Sequence, residues 1–186
     1  MQRFDFKRAS FVERRRECAR LAREIGDEQL LSKVELGELP ELLLHGEHVV
    51  ALSAGIMEGA LWLITITDQR ILFIDNTMLT GLSQTSIDLD HVNTVSCEIG
   101  LIFGTIIIED GASMRVIDNI WKMSAEKVAQ KIRDAVLLKR SVSKLARAIE
   151  ESEKDAGKRL EKITALLQKG VIGFDEFQLL KSRITG

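Results

Sequence analysis

Apolar residues recur at helical spacing at the start of the chain, which predicts a helix. A capping-box pattern at Ser10 and Glu13 marks where it begins, and Gly26 marks where it ends. The apolar positions that fall on one face of this helix are Phe11, Cys18, Leu21, Ala22 and Ile25. A shorter helix is predicted from about Glu28 to Leu36, with Leu30, Leu31 and Val34 as its buried face.

Short apolar runs separated by turns replace the helical pattern in the middle of the chain. The predicted strands are His48–Ala54, Ala60–Thr67, Arg70–Asp75, Gln84–Leu89, Val92–Ile99, Gly104–Glu109 and Met114–Ile117. Their short connections, such as Asp68-Gln69 and Glu109-Asp110-Gly111, indicate an antiparallel meander. Ser124 is the expected N-cap of a following helix that packs on the sheet. Its buried face is predicted to be Val128, Ile132, Ala135 and Val136.

Charged residues dominate the next stretch, which has a narrow apolar stripe at Val142, Leu145, Ala146 and Ile149. This stretch either extends the preceding helix or acts as a semi-rigid spacer, and Glu150–Lys158 is the expected linker. Residues 160–184 then read as two short apolar helices joined at a glycine. The predicted divisions are therefore 1–38, 39–139, 140–157 and 158–186.

A helical hairpin of this size buries little of its own apolar surface, so it is expected to dock on a partner or on a second copy of the chain. The predicted partner-binding residues are Ile163, Leu167, Ile172, Phe174, Phe177 and Leu180.

Composition narrows the function classes. A formal net charge of −2 gives no global attraction for nucleic acid. The two cysteines, Cys18 and Cys97, form no disulfide pattern, and no apolar signal core follows the N-terminus, so a cytoplasmic location is expected.

Residues 49–67 are apolar enough to suggest a membrane span, but Glu58 lies at the centre between two glycines. Two strands are the better interpretation.

Arginines are concentrated on the first helix, at Arg14, Arg15, Arg16, Arg20 and Arg23. They would contact an anionic surface, or they form a solvated helix face interleaved with Glu13 and Glu17. The second interpretation is favoured because no aromatic residues accompany them.

No catalytic, cofactor-binding or metal-binding residues are predicted. His45 and His48 have ligand spacing, but no third ligand is indicated, and Asp88, Asp90 and His91 read as turn residues. Cys97 is expected in the core, and Trp62 and Trp121 are expected to be packing anchors. Gly100 and Gly104 are expected to allow a tight bend or close packing between strands. We therefore expect no enzyme activity.

Three segments of the middle block resemble a bacterial pleckstrin-homology (PH)-like family, within it the YokE-like branch. They are Leu63–Ile74, with Thr67-Asp68-Gln69-Arg70 at its turn, then Ile87–Val95, then Gly100–Ile106. The resemblance implies a seven-stranded antiparallel barrel or sheet capped by a helix, an α+β fold. PH-like barrels are mostly binding scaffolds. Many eukaryotic members bind phosphoinositides through basic residues in the first strand-to-strand loop, expected here at residues 55–59, which hold no Lys or Arg.

The C-terminal segment resembles the short C-terminal domain called SHOCT. Leu160, Ile163, Leu166 and Leu167 match its first helix, and Gly170, Ile172, Glu176 and Phe177 match its turn and second helix. Gly173 stands where the family usually has a Thr or Ser cap, so the hairpin is expected to be weakened. Together these patterns predict a non-catalytic protein-interaction or oligomerisation module. The alternative is a peripheral protein that binds anionic lipid through the arginine-rich helix.

Overall fold

The computed structural model describes residues 4–27, 35–77, 81–111, 113–152 and 154–185. The chain divides into two compact units, Met1–Val136 and Leu137–Gly186. The helices are α1 (Phe11–Ile25), α2 (Glu35–Leu42), α3 (Lys122–Ser152), α4 (Ala156–Gln168) and α5 (Phe174–Thr185). Helix α3 begins in the first unit and continues into the second.

The seven predicted strands are all present and form one antiparallel sheet, which confirms the α+β architecture. They are β1 (Val49–Met57), β2 (Ala60–Thr67), β3 (Arg70–Thr77), β4 (Gly81–Asp88), β5 (Thr94–Ile99), β6 (Phe103–Glu109) and β7 (Met114–Trp121). Their order is β4-β3-β2-β1-β7-β6-β5. The turns predicted after Thr67 and after Glu109 are confirmed, the second with Gly111 at φ 83°.

Strands β1 and β7 pair at Ile56 and Asp118. Gly55 makes this approach feasible. A Cβ at residue 55 would lie 2.5 Å from Ile117 Cγ2 and 3.1 Å from Ile120 Cγ1. The strand therefore needs a residue without a side chain where it crosses its neighbour.

Strands β1 to β3 bury both of their faces, which explains why residues 49–67 are so apolar. One face contributes Ile64 and Phe73 to the main core, where Val128 and Ile132 of α3 also pack. The opposite face contributes Leu52, Leu63, Leu72 and Ile74 to a second cluster covered by α1. A strand covered on both sides has no polar face, so its sequence loses the alternation of a half-exposed strand.

Helix α1 begins and ends where the sequence predicts. The capping box of Ser10 and Glu13 is complete, and Gly26 adopts the left-handed conformation at the C-terminus. Directly after it, the Asp27 carboxylate accepts hydrogen bonds from the Ser53 hydroxyl (3.2 Å) and the Ala54 amide (3.3 Å). The helix end is thus attached to β1.

Three sequence-based expectations for this unit are wrong in detail. Phe11 is exposed, because the buried face of α1 begins at Cys18. Ser124 is not an N-cap. The β7 strand passes directly into α3 at Lys122, whose amide donates to Ile102 O, so Ser124 lies buried inside the helix.

The loop expected over residues 55–59 is a two-residue turn at Glu58 (φ 54°) and Gly59 (φ 80°). The predicted second helix, from about Glu28 to Leu36, falls mostly on residues 28–34, including Leu30, Leu31 and Val34, which lie outside the described residues. The described helix α2 spans Glu35–Leu42.

A buried ion pair fastens the start of β1 to the β2–β3 turn. The Glu47 side chain is fully buried and accepts from Arg70 Nε (2.9 Å), Arg70 Nη2 (3.1 Å), the Thr67 hydroxyl (2.8 Å) and the Leu44 amide (2.6 Å). Arg70 Nη2 also donates to Leu42 O at 2.7 Å. The Thr and Arg that flank this turn thus have a structural role.

The second unit packs α4 and α5 against the C-terminal half of α3. Val142, Ala146 and Ile149 of α3 are buried in one cluster with Ile163 of α4, Ile172 of the turn and Leu180 of α5. Of the two alternatives for the charged stretch, the structure supports helix extension, because α3 is continuous to Ser152 and α4 already begins at Ala156.

Among the residues that the structure describes, none of the helices has both the length and the apolar character that crossing a membrane requires.

Candidate interaction surfaces

The turn between β5 and β6 is made almost entirely of large apolar residues. It reads Ile99-Gly100-Leu101-Ile102-Phe103, and the Gly100 amide donates to Phe103 O at 2.9 Å, which closes the turn tightly. A Cβ at residue 100 would lie 2.8 Å from Phe103 O, so glycine is required there. Leu101, at the apex, exposes 92% of its surface. The turn therefore presents apolar side chains on a fixed backbone.

The junction of β7 and α3 continues the same surface. Phe103 pairs with Trp121 across the strands, and their rings meet edge to face with centroids 5.9 Å apart. The Lys122 amide donates to Ile102 O at 3.1 Å, which places Met123 beside the turn. We call this surface the apolar tip. Its six residues, all exposed, are Ile99, Leu101, Ile102, Phe103, Trp121 and Met123.

Charged residues lie on both sides of the aromatic pair of the apolar tip. Glu98 is exposed on β5, and exposed Asp118 of β7 accepts a hydrogen bond from the Thr105 hydroxyl at 2.7 Å. Lys122 is exposed on the opposite side, one residue after Trp121. The surface therefore has two acids on one side of the aromatic pair, on β5 and β7, and a basic residue at the start of α3.

The apolar tip is not predicted from the sequence. Trp121 is expected to be a packing anchor, and it packs edge to face on Phe103 but remains 49% exposed. Trp62 does pack on the main core, and its Nε1 donates to Met57 O at 3.0 Å. A usable signal was present, because the turn after β5 contains no polar residue, whereas turns are normally rich in Asn, Asp and Ser.

The predicted partner-binding residues of the C-terminal hairpin are largely occupied within their own unit. Ile163, Ile172 and Leu180 are buried against α3. The expectation that they face a partner is corrected on this point, because α3 extends far enough to supply an apolar stripe. Leu167 and Phe177 are half-buried, and Phe174 remains exposed.

Glu176 stabilises the hairpin turn that lacks a hydroxyl cap. Its Oε2 accepts from the Gly173 amide at 2.8 Å, which forms half of a capping box. Its Oε1 accepts from the Ser141 hydroxyl of α3 at 3.2 Å. The carboxylate thus partly compensates for the glycine and also joins α5 to α3.

The arginines of α1 are only partly available to an anionic surface. Arg20 donates to both Glu17 (2.7 and 2.9 Å) and Glu24 (3.1 Å), and these carboxylates raise the pKa of Arg20. Arg14 donates to Lys7 O at 3.1 Å. Arg15 and Arg16 are exposed. This arrangement matches the solvated helix face better than a concentrated basic patch.

Glu24, at the C-terminal end of α1, also contacts α3. Lys131 Nζ donates to Glu24 Oε1 at 2.5 Å, and this hydrogen bond holds the pKa of Glu24 below its usual value. A cavity of about 390 Å³ lies beside this pair, lined by Ile25 and by charged or polar side chains of both helices. Acids outnumber lysines in its lining, which does not suit a phosphate.

The histidines do not converge on a metal-binding arrangement. Glu47, which lies between His45 and His48, is committed to Arg70, and His91 lies beside Asp88 in an exposed turn. Within the described parts of the chain, no three His, Cys, Asp or Glu side chains cluster closely enough to hold a metal ion.

Both cysteines have a raised thiol pKa. Burial raises the pKa of Cys18 to about 11, and burial together with Glu126 raises that of Cys97. A thiol with a raised pKa is a poor nucleophile at neutral pH.

Comparison with known proteins completes this picture. None of the curated proteins matches the chain. The solved structures with a similar fold include one titled as a pleckstrin homology domain from Shewanella amazonensis SB2B. It is 16% identical with a TM-score of 0.44, and the match covers 54% of this chain and 94% of that one. Residues 43–134 match the family model described as the bacterial PH domain. This range contains all seven strands and the first part of α3, so residues 43–134 are a bacterial PH domain.

Proposed function

We propose that this protein is a non-catalytic scaffold of the bacterial PH type that works by binding protein, including other copies of itself. PH domains are mostly binding modules, and the described residues offer no arrangement of nucleophile, base and orienting group. The C-terminal unit, which we interpret as SHOCT-like, would add a second attachment element with Phe174 exposed. A cytoplasmic location suits this role.

The observation that carries the proposal is the apolar tip. A monomeric soluble protein rarely exposes a contiguous apolar patch larger than a few hundred Å². Here six large side chains are exposed around the β5–β6 turn and the junction of β7 with α3, and the hydrogen bond from Gly100 to Phe103 fixes the backbone of the turn. Such a surface costs solvation free energy unless a partner covers it.

The first strand-to-strand connection argues against a phosphate ligand. It is a two-residue turn with Glu58 at its first position, so it has neither the length nor the charge for a phosphate cradle. Protein binding through apolar contacts is therefore the better interpretation of this PH domain.

Photocross-linking in cells that make the protein tests the proposal. A photoreactive phenylalanine analogue is placed at residue 101, and a matched variant carries it at residue 114. Met114 is the control because it is apolar, 62% exposed and part of the same sheet. The proposal predicts a discrete protein adduct from residue 101 and none from residue 114. Absence of protein adducts from residue 101 would refute it.

A further inference from the structure

We infer that the partner of the apolar tip is a second copy of this chain, related by a two-fold axis that passes close to the Phe103–Trp121 pair. The inference rests on the proposed function and names the protein that is bound. It is carried by the distribution of charge around the tip and by the size of the exposed surface.

The charges are self-complementary under a two-fold rotation. Along β7, Asp118 comes three residues before Trp121 and Lys122 comes one residue after it. Glu98 pairs with Thr105 on β6, and Thr105 in turn bonds Asp118, so both acids lie on the same side of the aromatic pair. A two-fold axis that passes through the pair perpendicular to β7 reverses the direction of β7. Each Lys122 then faces the acidic border of the other copy, and acids do not face acids.

The exposed area suits a dimer. Side chains that expose between 43% and 92% of their surface make up the tip. Ile99 lies on the sheet face of Gly104 and Ala125, opposite Phe103 and Trp121, so the other five side chains present on the order of 600–700 Å² of apolar area, close to the ~800 Å² per partner of a standard interface. The aromatic pair would lie at the centre, where Trp residues contribute most to binding energy.

A bilayer is a poorer match for this surface. Glu98 and Asp118 border the tip, and the cytoplasmic face of a membrane carries anionic lipid that repels carboxylates. Lys122 alone does not offset two acids. The same acids are favourable opposite a lysine of a second copy.

Light scattering on the purified full-length chain over a range of concentrations measures the association. We expect the wild type to reach the mass of a dimer. Leu101→Glu places a charge at the apex of the tip and should leave a monomer, whereas Met114→Glu, at another exposed apolar position of the same sheet, should remain a dimer. A wild type that is monomeric at all concentrations would overturn the inference, and so would equal effects of the two substitutions.

Charge exchange distinguishes a two-fold dimer from other assemblies. Glu98→Lys and Lys122→Glu should each weaken association by about five- to tenfold, because each creates like-charge pairs across the axis. Mixing the two variants should restore it. In the mixed dimer the introduced lysine of one variant meets the introduced glutamate of the other, and the native Lys122 of the first meets the native Glu98 of the second. Both positions are exposed, so folding should be retained. Failure of the mixture to recover would contradict the two-fold arrangement.

Two further outcomes separate this inference from the proposed function. If the adduct formed at residue 101 in cells contains a different protein and no second copy, the inference is wrong and the proposed function stands. If the monomer floats with phosphatidylcholine vesicles and Leu101→Glu abolishes flotation, the tip binds lipid and the inference is likewise wrong.

Discussion

The buried ion pair between Glu47 and Arg70 gives the largest stability effect that we predict for the PH domain. Arg70→Met removes both guanidinium contacts and the bond to Leu42 O, while the Glu47 side chain stays fully buried. Thr67 and the Leu44 amide still donate to the carboxylate, but the compensating charge is lost. Removing one partner of a buried pair costs about 3–5 kcal/mol, and we expect a loss in this range.

Glu47→Gln should cost less than Arg70→Met. The remaining guanidinium is 13% exposed and can be hydrated in part, so a loss of roughly 1–3 kcal/mol is expected. The double variant should be more stable than the sum of the two losses implies, because an uncompensated charge is no longer buried. This non-additivity is the signature of direct coupling between the two groups.

Urea unfolding followed by tryptophan fluorescence measures these losses. Both tryptophans, Trp62 and Trp121, lie inside residues 43–134, so the signal reports on the PH domain. Arg20→Met is the matched control, because Arg20 also contacts two carboxylates but is 51% exposed. It should cost less than about 1 kcal/mol. If Arg70→Met cost no more than Arg20→Met, the argument from burial would be wrong.

Four single residues give smaller predicted effects on stability, amide exchange or thiol reactivity. Gly55→Ala should destabilise the PH domain by about 1–3 kcal/mol in urea unfolding, because its Cβ overlaps Ile117. Gly170→Ala should speed amide exchange in α4 and α5 by about fivefold, since φ is 67° at that residue. Cys18, with a thiol pKa of about 11, should react with a disulfide reagent at pH 8 only after unfolding. The lowered pKa of Glu24 stabilises the fold above its unfolded pKa, and this contribution is lost as the pH falls through the folded pKa. Glu24→Gln should therefore flatten the acid side of the stability curve, by less than about 1 kcal/mol because the side chain is half-exposed. Unchanged stability of Gly55→Ala, unchanged exchange in Gly170→Ala, reaction of Cys18 in the folded chain, or an unchanged acid side of the stability curve in Glu24→Gln would contradict the corresponding prediction.

The sheet could be predicted from the sequence because strand signals are local. Apolar runs bounded by turn residues, such as those on either side of Asp68-Gln69, define the strands, and short connections force antiparallel neighbours. The capping box at Ser10 was readable for the same reason. Each of these features depends on residues within a few positions of one another.

The boundaries and surfaces that the sequence failed to predict depend on distant residues. Ser124 looks like an N-cap, but the β5–β6 turn anchors the helix earlier through Ile102 O. The C-terminal hairpin looks too small to be stable, but Val142 and Ile149 of α3 bury its apolar residues. Trp121 looks like a packing anchor in the sequence, but the period of a strand does not reveal which face is covered, so its exposure is not predicted.

The most direct test of the account is carbene footprinting of the wild-type chain, which labels any exposed side chain. The chain is compared in native cell extract and as a dilute purified monomer, and labelling is quantified at residues 99–103, 121–123 and 114. The account predicts that the two segments of the apolar tip are protected in the extract while Met114 is labelled equally in both samples. Equal labelling of Leu101 and Trp121 in the two samples would show that no partner covers the tip and would contradict the account.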